Sequence, residues 1–295
     1  MTTRLVRLAF PVDLRAVAAS TKSISVGGGD RPGGVWWPVE TPGGIGTLHL
    51  EREGQAIRAQ AWGPGADWLL DQVPRLLGVE DHPETLISHH DVVRDLARRS
   101  PVRFSRTDRV FEALLPTILG QRVQTKIANR SLGAIVRAYG EPAPGPVDLL
   151  AFPSAARLSE IGYYELHRFH VERQRADTIV RAAKAAKRLE RVTALEADVV
   201  ARHLGQVRGI GPWTIGWVSW VALGDADAVP VGDFHLPNTV AWALAAEPRA
   251  TDERMLELLE PYAGHRGRVV RMLKGSGLSA PKYGPKLSIQ EIGHL

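Results

Sequence analysis

Residues 207–214 constrain this chain more than any other stretch. They read Val207, Arg208, Gly209, Ile210, Gly211, Pro212, Trp213 and Thr214. Apolar periodicity predicts one helix over 195–204 and another over 212–223, so the two glycines sit in a tight turn between helices. Pro212 opens the second helix, where its missing N–H has no partner to lose. Such a turn exposes backbone N–H groups at a helix N-terminus, a place where phosphate can bind. An ordinary corner between two helices would use the same residues. Asp233, about twenty residues on, starts a further helical pattern over 233–245. A carboxylate there can cap the helix, and it can equally serve a reacting centre.

Composition limits the alternatives. The chain has 295 residues and a formal net charge of +5, enough length for two or three domains and a balance that favours polyanionic partners. It has no cysteine, which excludes disulfides, zinc–thiolate sites, a cysteine nucleophile and cysteine-ligated iron–sulfur clusters. No run of about twenty apolar residues is present, and the N-terminus lacks a signal-peptide core, so a cytoplasmic protein without a membrane span is expected. Asp233 and His235 offer two metal ligands with no third at a useful spacing, and no transition-metal site is expected.

The pattern changes along the chain. Residues 4–10, 34–40, 46–52 and 56–62 alternate like strands, with a hairpin turn at Glu53, Gly54 and Gln55. Residues 27–34 form a Gly/Pro-rich loop, and 67–77 read as a helix. From about Pro83 the chain is helical, over 86–97, 108–119 with Asp108 as N-cap, 121–139, 171–189, 252–260 and 267–275. Residues 141–146 form a loop, and the tail from Gly277 is irregular.

Trp213 and Trp217 share one helix face, with Trp220 three further on. They fit a core filling or a wall on which an unpaired base stacks. Basic residues gather at Arg103, Arg106 and Arg109, at Lys126 and Arg130, from His167 to Arg175, and from His265 to Arg271. Each alone fits a solvated surface, and together they suit DNA phosphates.

These residues carry a resemblance. Residues 209–214 with Gly232, Asp233, Phe234, His235 and Leu236 resemble the helix-hairpin-helix DNA glycosylase superfamily. Ile118, Leu119, Gly120, Gln121 and Arg122 resemble an element of bacterial DNA-3-methyladenine glycosylase II. The resemblance implies an α+β fold, with an N-terminal mixed α/β domain before an all-helical, two-lobed core. The implied division is an antiparallel-sheet domain over 1–85, a lobe over 109–231 carrying the hairpin, and a second lobe of 86–108 plus 232–295 carrying the aspartate.

The resemblance also assigns roles. Asp233 matches the aspartate of base excision, and Trp213, Trp217 and His265 match base-pocket positions. Gly209, Ile210, Gly211 and Thr214 match the DNA-binding hairpin. The backbone carbonyls of Gly205, Val207 and Ile210 match a site for Na+ or K+, and no other cofactor is implied. Gln121 or Arg122 matches the wedge that enters the duplex. Bifunctional members carry a lysine where this chain has Trp213, so a monofunctional glycosylase is implied. The expected activity is excision of alkylated purines, such as 3-methyladenine, from duplex DNA by a monomer in the cytoplasm, at the nucleoid. Two alternatives stand beside it. One is excision of an oxidised, mismatched, bulky or crosslinked base, and the other is a non-catalytic DNA-binding protein.

Overall fold

Strand alternation builds the first layer. In the computed structural model, which describes residues 1–21 and 33–281, β1 (Thr2–Arg7), β2 (Val35–Thr41), β3 (Gly44–Glu53) and β4 (Ala56–Trp62) form one antiparallel sheet. Its order is β1–β4–β3–β2. Glu53 pairs with Ala56, so the turn expected over Glu53, Gly54 and Gln55 is narrowed to Gly54 and Gln55. Trp37, Leu48, Leu50, Ala59 and Ala61 bury one face against Leu69, Leu70, Val73 and Leu76 of α2 (Ala66–Leu76). A helix α1 (Leu14–Thr21) also packs here and was not foreseen, since its eight residues are too few to display a clear period. Of the anticipated loop at 27–34, residues 27–32 lie outside the described residues, as does the tail beyond 281.

Helices make most of the rest, apart from a short antiparallel pairing of Glu141–Pro142 with Leu150–Ala151 that begins inside the expected loop at 141–146. The helices are α3 (Asp91–Arg99), α4 (Val110–Leu119), α5 (Thr125–Tyr139), α6 (Ala155–Ser159), α7 (Tyr163–His167), α8 (Arg173–Leu189) and α9 (Ala197–Gly205). After them come α10 (Pro212–Val218), α11 (Leu236–Ala245), α12 (Asp252–Leu259) and α13 (Arg266–Gly275). The protein is thus α+β with a helical core. The short α6 and α7 carried too little periodicity to be read from sequence. One apolar cluster gathers α4, α5, α8 and the hairpin residues Val207 and Ile210. A separate cluster joins Val93, Phe104 and Trp220 to residues of α11, α12 and α13.

Helix α4 is the axis of the first cluster. Every residue except Glu112 is buried, and Glu112 accepts a hydrogen bond from the Trp37 indole at 3.1 Å, which ties sheet to helix. Its start corrects the expected N-cap. Asp108 does not cap α4, because its carboxylate pairs with Arg106 at 2.6 Å and Arg75 at 3.0 Å. Glu190, eighty residues away, accepts from the Val110 and Phe111 N–H groups instead. A carboxylate at that end also meets the positive pole of the helix.

The expected helix over 212–223 is two pieces, α10 and a wider π turn at Ser219–Leu223 that ends on Gly224. Across the molecule, Asp81 holds Arg268 of α13 with contacts of 2.5 and 2.9 Å, and it accepts the Phe104 N–H at 2.8 Å. Both side chains are buried. Removing one partner of such a pair strands a buried charge. We therefore predict that Asp81→Ala lowers the unfolding free energy by about 3–5 kcal/mol in urea titrations followed by circular dichroism. A loss below about 1 kcal/mol, the range of surface pairs, would contradict this role.

Candidate active site

The hairpin is held from inside. Helix α9 ends at Gly205, the Val207 carbonyl accepts from the Ile210 N–H at 2.9 Å, and Pro212 starts α10. Val207 and Ile210 are buried and anchor the turn to the core. Gly209 has φ +100°, and a Cβ there would lie 2.2 Å from Thr178 Oγ1, so the turn demands glycine. Gln121 bonds the hairpin from the end of α4, donating to the Gly209 carbonyl and to Thr214 Oγ1, both at 2.9 Å. Its amide is therefore engaged within the protein. Arg122, the other expected wedge, is exposed with φ +56°.

Asp233 reaches this hairpin because the chain before it packs against α10. A Cβ on Gly216 would lie 2.6 Å from Pro230 Cα, so only glycine lets the two segments touch. Asp252 fixes the same segment by accepting the Gly232 N–H at 3.1 Å. The Asp233 carboxylate then does two things. Its Oδ1 accepts from the His235 and Leu236 N–H groups at 2.9 and 3.1 Å, at the start of α11. Its Oδ2 accepts from Trp213 Nε1 at 2.9 Å. The N-cap of α11 is His235, so Asp233, expected as the cap, stands two residues ahead of it and serves the helix start from there, with its other oxygen turned toward Trp213.

Those tryptophans form a chain. Trp213 meets Trp217 edge-on with centroids 6.2 Å apart, and Trp217 meets Trp220 at 4.8 Å. Trp220 is buried and donates to the Ala228 carbonyl, so it belongs to the core. Trp213 and Trp217 are only partly buried. Behind Trp217, toward Trp37, lies a cavity of about 10 Å³, room for about one water and not for a base.

Lys274 of α13 joins this group, although sequence reading did not single it out. Its Nζ lies 4.6 Å from the Trp217 ring centroid. Burial pushes its ammonium below the ordinary lysine range, the Asp233 carboxylate opposes that shift, and Arg271 adds to it. The available signal was spacing, since Arg268, Arg271 and Lys274 recur every three residues on one helix face. Phe234, exposed beside Asp233, was also passed over as a candidate.

His265, expected in the pocket, is held by residues the sequence reading did not connect to it. Its ring nitrogens meet Thr85 Oγ1 at 2.9 Å and Arg268 Nε at 3.0 Å. Burial, then the Arg268 charge, lowers its pKa.

Several basic residues expected on DNA serve the interior instead. Arg109 is buried against Glu190, and Arg175 donates to the Leu119 carbonyl at 2.8 Å. Arg103 stacks on Phe10 at 3.7 Å, and Arg106 and Arg266 pair with Asp108 and Asp227. A guanidinium has five donors, so it can satisfy carbonyls between elements as well as phosphates. Lys126, Arg168 and Arg173 remain exposed. A groove of about 450 Å³ beside the hairpin is lined by Arg173, Arg181, Arg208 and Gly209.

The model of the HhH-GPD superfamily of base excision DNA repair proteins matches residues 115–263 of this chain. The chain belongs to that superfamily. The matched segment contains the hairpin and Asp233 and stops short of His265 and Lys274. A Mycobacterium tuberculosis "probable bifunctional transcriptional activator/DNA repair enzyme AlkA" is 31% identical over 170 residues, 55% of this chain and 34% of the relative. A Bacillus subtilis "putative DNA-3-methyladenine glycosylase YfjP" is 23% identical, over 53% of this chain and 56% of the relative. The chain thus spans about a third to about half the length of these curated relatives. The fold is similar to that of a 3-methyladenine DNA glycosylase from Archaeoglobus fulgidus. The TM-score is 0.76 at 18% identity, covering 92% of this chain and 96% of the other.

Among the described residues, no group of three or more His, Asp or Glu side chains is placed to hold a metal ion, and no helix is long and apolar enough to cross a membrane. A monovalent cation asks only for carbonyls. Gly205 ends α9, where carbonyls lack intrahelical partners, and the Val207 carbonyl keeps a lone pair beyond its bond to Ile210. Those groups fit Na+ or K+ and no redox or Lewis-acid role.

The capping bonds give a clean prediction. Asp233→Ala should lower unfolding free energy by about 1 kcal/mol or more through the lost bonds at the start of α11 and to Trp213, and Asp233→Asn, which keeps an acceptor for the helix start but not for the indole, should lose less. Urea unfolding of the two variants checks the order, and equal losses would contradict a capping role.

Proposed function

We propose that this chain is a DNA glycosylase that flips a damaged base out of duplex DNA and hydrolyses its N-glycosidic bond, with alkylated purines as its substrates. The observation that carries the proposal is the Asp233 carboxylate, fixed by three donors beside the partly open faces of Trp213 and Trp217. A docking protein would use the carboxylate only to order the start of α11, and the bond to Trp213 goes beyond that need.

The proposed steps follow from charge. The duplex lies on the hairpin at Gly209, Ile210, Gly211 and Thr214 and along the basic groove, and backbone contacts give salt-sensitive binding without sequence preference. Arg122 is the proposed wedge, since Gln121 is bonded to the hairpin. The base enters the cleft between the lobe over 109–231 and the lobe of 86–108 plus 232–295. Flipping costs a few kcal/mol, least for poorly paired damaged bases. As the C1′–N bond breaks, the sugar becomes an oxocarbenium ion. An anion about 4 Å away stabilises it by about 4 kcal/mol at an effective dielectric constant of about 20. Water then adds to C1′, its proton is lost, and the free base leaves. Na+ or K+ on the carbonyls of Gly205, Val207 and Ile210 would stiffen the hairpin. Trp213 stands where a lysine nucleophile would be needed for strand cleavage, so we propose a monofunctional enzyme.

The test uses methylated duplex DNA, with released bases identified by chromatography. Wild type should release methylpurines. Asp233→Asn should lower the rate about a thousandfold, the equivalent of about 4 kcal/mol. Its affinity for a duplex with an abasic-site analogue should stay within about threefold. Turnover by Asp233→Asn close to wild type would contradict the proposal. DNA binding with no base released would favour the docking alternative.

A further inference from the structure

The aromatic wall of the candidate base site carries a cation. Lys274 sits in the last turn of α13, and although the residue is solvent-exposed, its Nζ approaches the Trp217 ring to 4.6 Å. It is the outer member of a ladder on one helix face. Arg268 is locked to Asp81, and Arg271 lies over Phe104 at 4.5 Å and Trp220 at 5.8 Å. Those two are committed to the core. Lys274 alone of the three faces a tryptophan that is only partly buried, within electrostatic range of Asp233. Burial and Arg271 lower its pKa, and the Asp233 carboxylate and the Trp217 face oppose that by favouring the charged form.

We propose that Lys274 is a charge filter on the base site, which makes the enzyme prefer neutral modified purines over cationic ones. This rests on the glycosylase reading above. A purine methylated at N3 or N7 is cationic while attached to the sugar, and it repels an ammonium on the same aromatic wall. A purine with a fused etheno ring, such as 1,N6-ethenoadenine, is neutral and meets no such repulsion. The leaving groups add to the difference. A neutral purine develops negative charge as the C1′–N9 bond breaks and keeps the bonding pair, and an ammonium stabilises that charge. A cationic purine leaves neutral and gains nothing. Lys274 also weakens the field of Asp233 at the sugar. That cost falls on both substrates and cancels in their ratio. The filter therefore acts through differential binding of the transition state.

The experiment measures single-turnover release of 7-methylguanine and 1,N6-ethenoadenine from duplexes, using wild type, Lys274→Met, Lys274→Gln and Lys274→Arg. Methionine matches lysine in length and helix propensity, so α13 should be retained. The 7-methylguanine to ethenoadenine rate ratio should rise at least about tenfold in Lys274→Met and Lys274→Gln, the effect of removing about 1.4 kcal/mol of discrimination. In Lys274→Arg it should stay within about threefold of wild type. An unchanged ratio in both neutral variants would overturn the filter, and so would an equal loss on both substrates, which a purely structural role would give. If wild type releases neither base, the glycosylase reading itself fails and the filter falls with it. Release of both bases with an unchanged ratio refutes the filter alone.

Discussion

The Asp233 carboxylate is the joint on which the candidate site depends. One oxygen serves the start of α11 and the other receives the Trp213 indole of α10. Hydrogen bonds to an ionised group are worth about 1.5–3 kcal/mol each, more than a neutral pair. The joint therefore ties the start of α11 to α10 and also fixes the carboxylate. A freely rotating side chain would have to be ordered again in every turnover, and a capped one is ordered in advance.

Glycine makes the joint possible. Residues 226–233 thread between α10 and α13, close against Gly216 on one side and Gly267 on the other, where a Cβ would meet the Ala228 carbonyl at 2.2 Å. Arginine secures the surroundings. Arg268 with Asp81 and Arg109 with Glu190 tie segments distant in sequence, which is why many basic residues are unavailable to a polyanion. The groove beside the hairpin, lined by Arg173, Arg181 and Arg208 with Asp177 among them, holds the charge available to the proposed DNA partner.

Much of this was legible in sequence. Strand alternation located the four strands, and the glycine pair with Pro212 located the hairpin, because these signals are local. Asp233 could be read as cap and as reactive group; its bonds to the His235 and Leu236 N–H groups bear on the first, and the second belongs to the proposed function. What escaped was non-local. Glu190 caps α4 from eighty residues away, so Asp108 looked like the cap. Thr85 and Arg268 hold the His265 ring, and Thr85 lies 180 residues away from it. Lys274 looked like one more surface charge, and only the packing of α13 brings its ammonium to Trp217. Helix periodicity shows which face is buried and not which distant residue lies opposite.

The central claim is that a fixed carboxylate between tryptophans releases a base and leaves the strand whole. The direct measurement is to incubate a damaged duplex with the protein and resolve the strands with and without alkali, alongside a borohydride trapping reaction. The account predicts free base, an intact strand that breaks only after alkali, and no covalent protein–DNA adduct. A strand nicked without alkali, or an adduct trapped through Lys274, would contradict it.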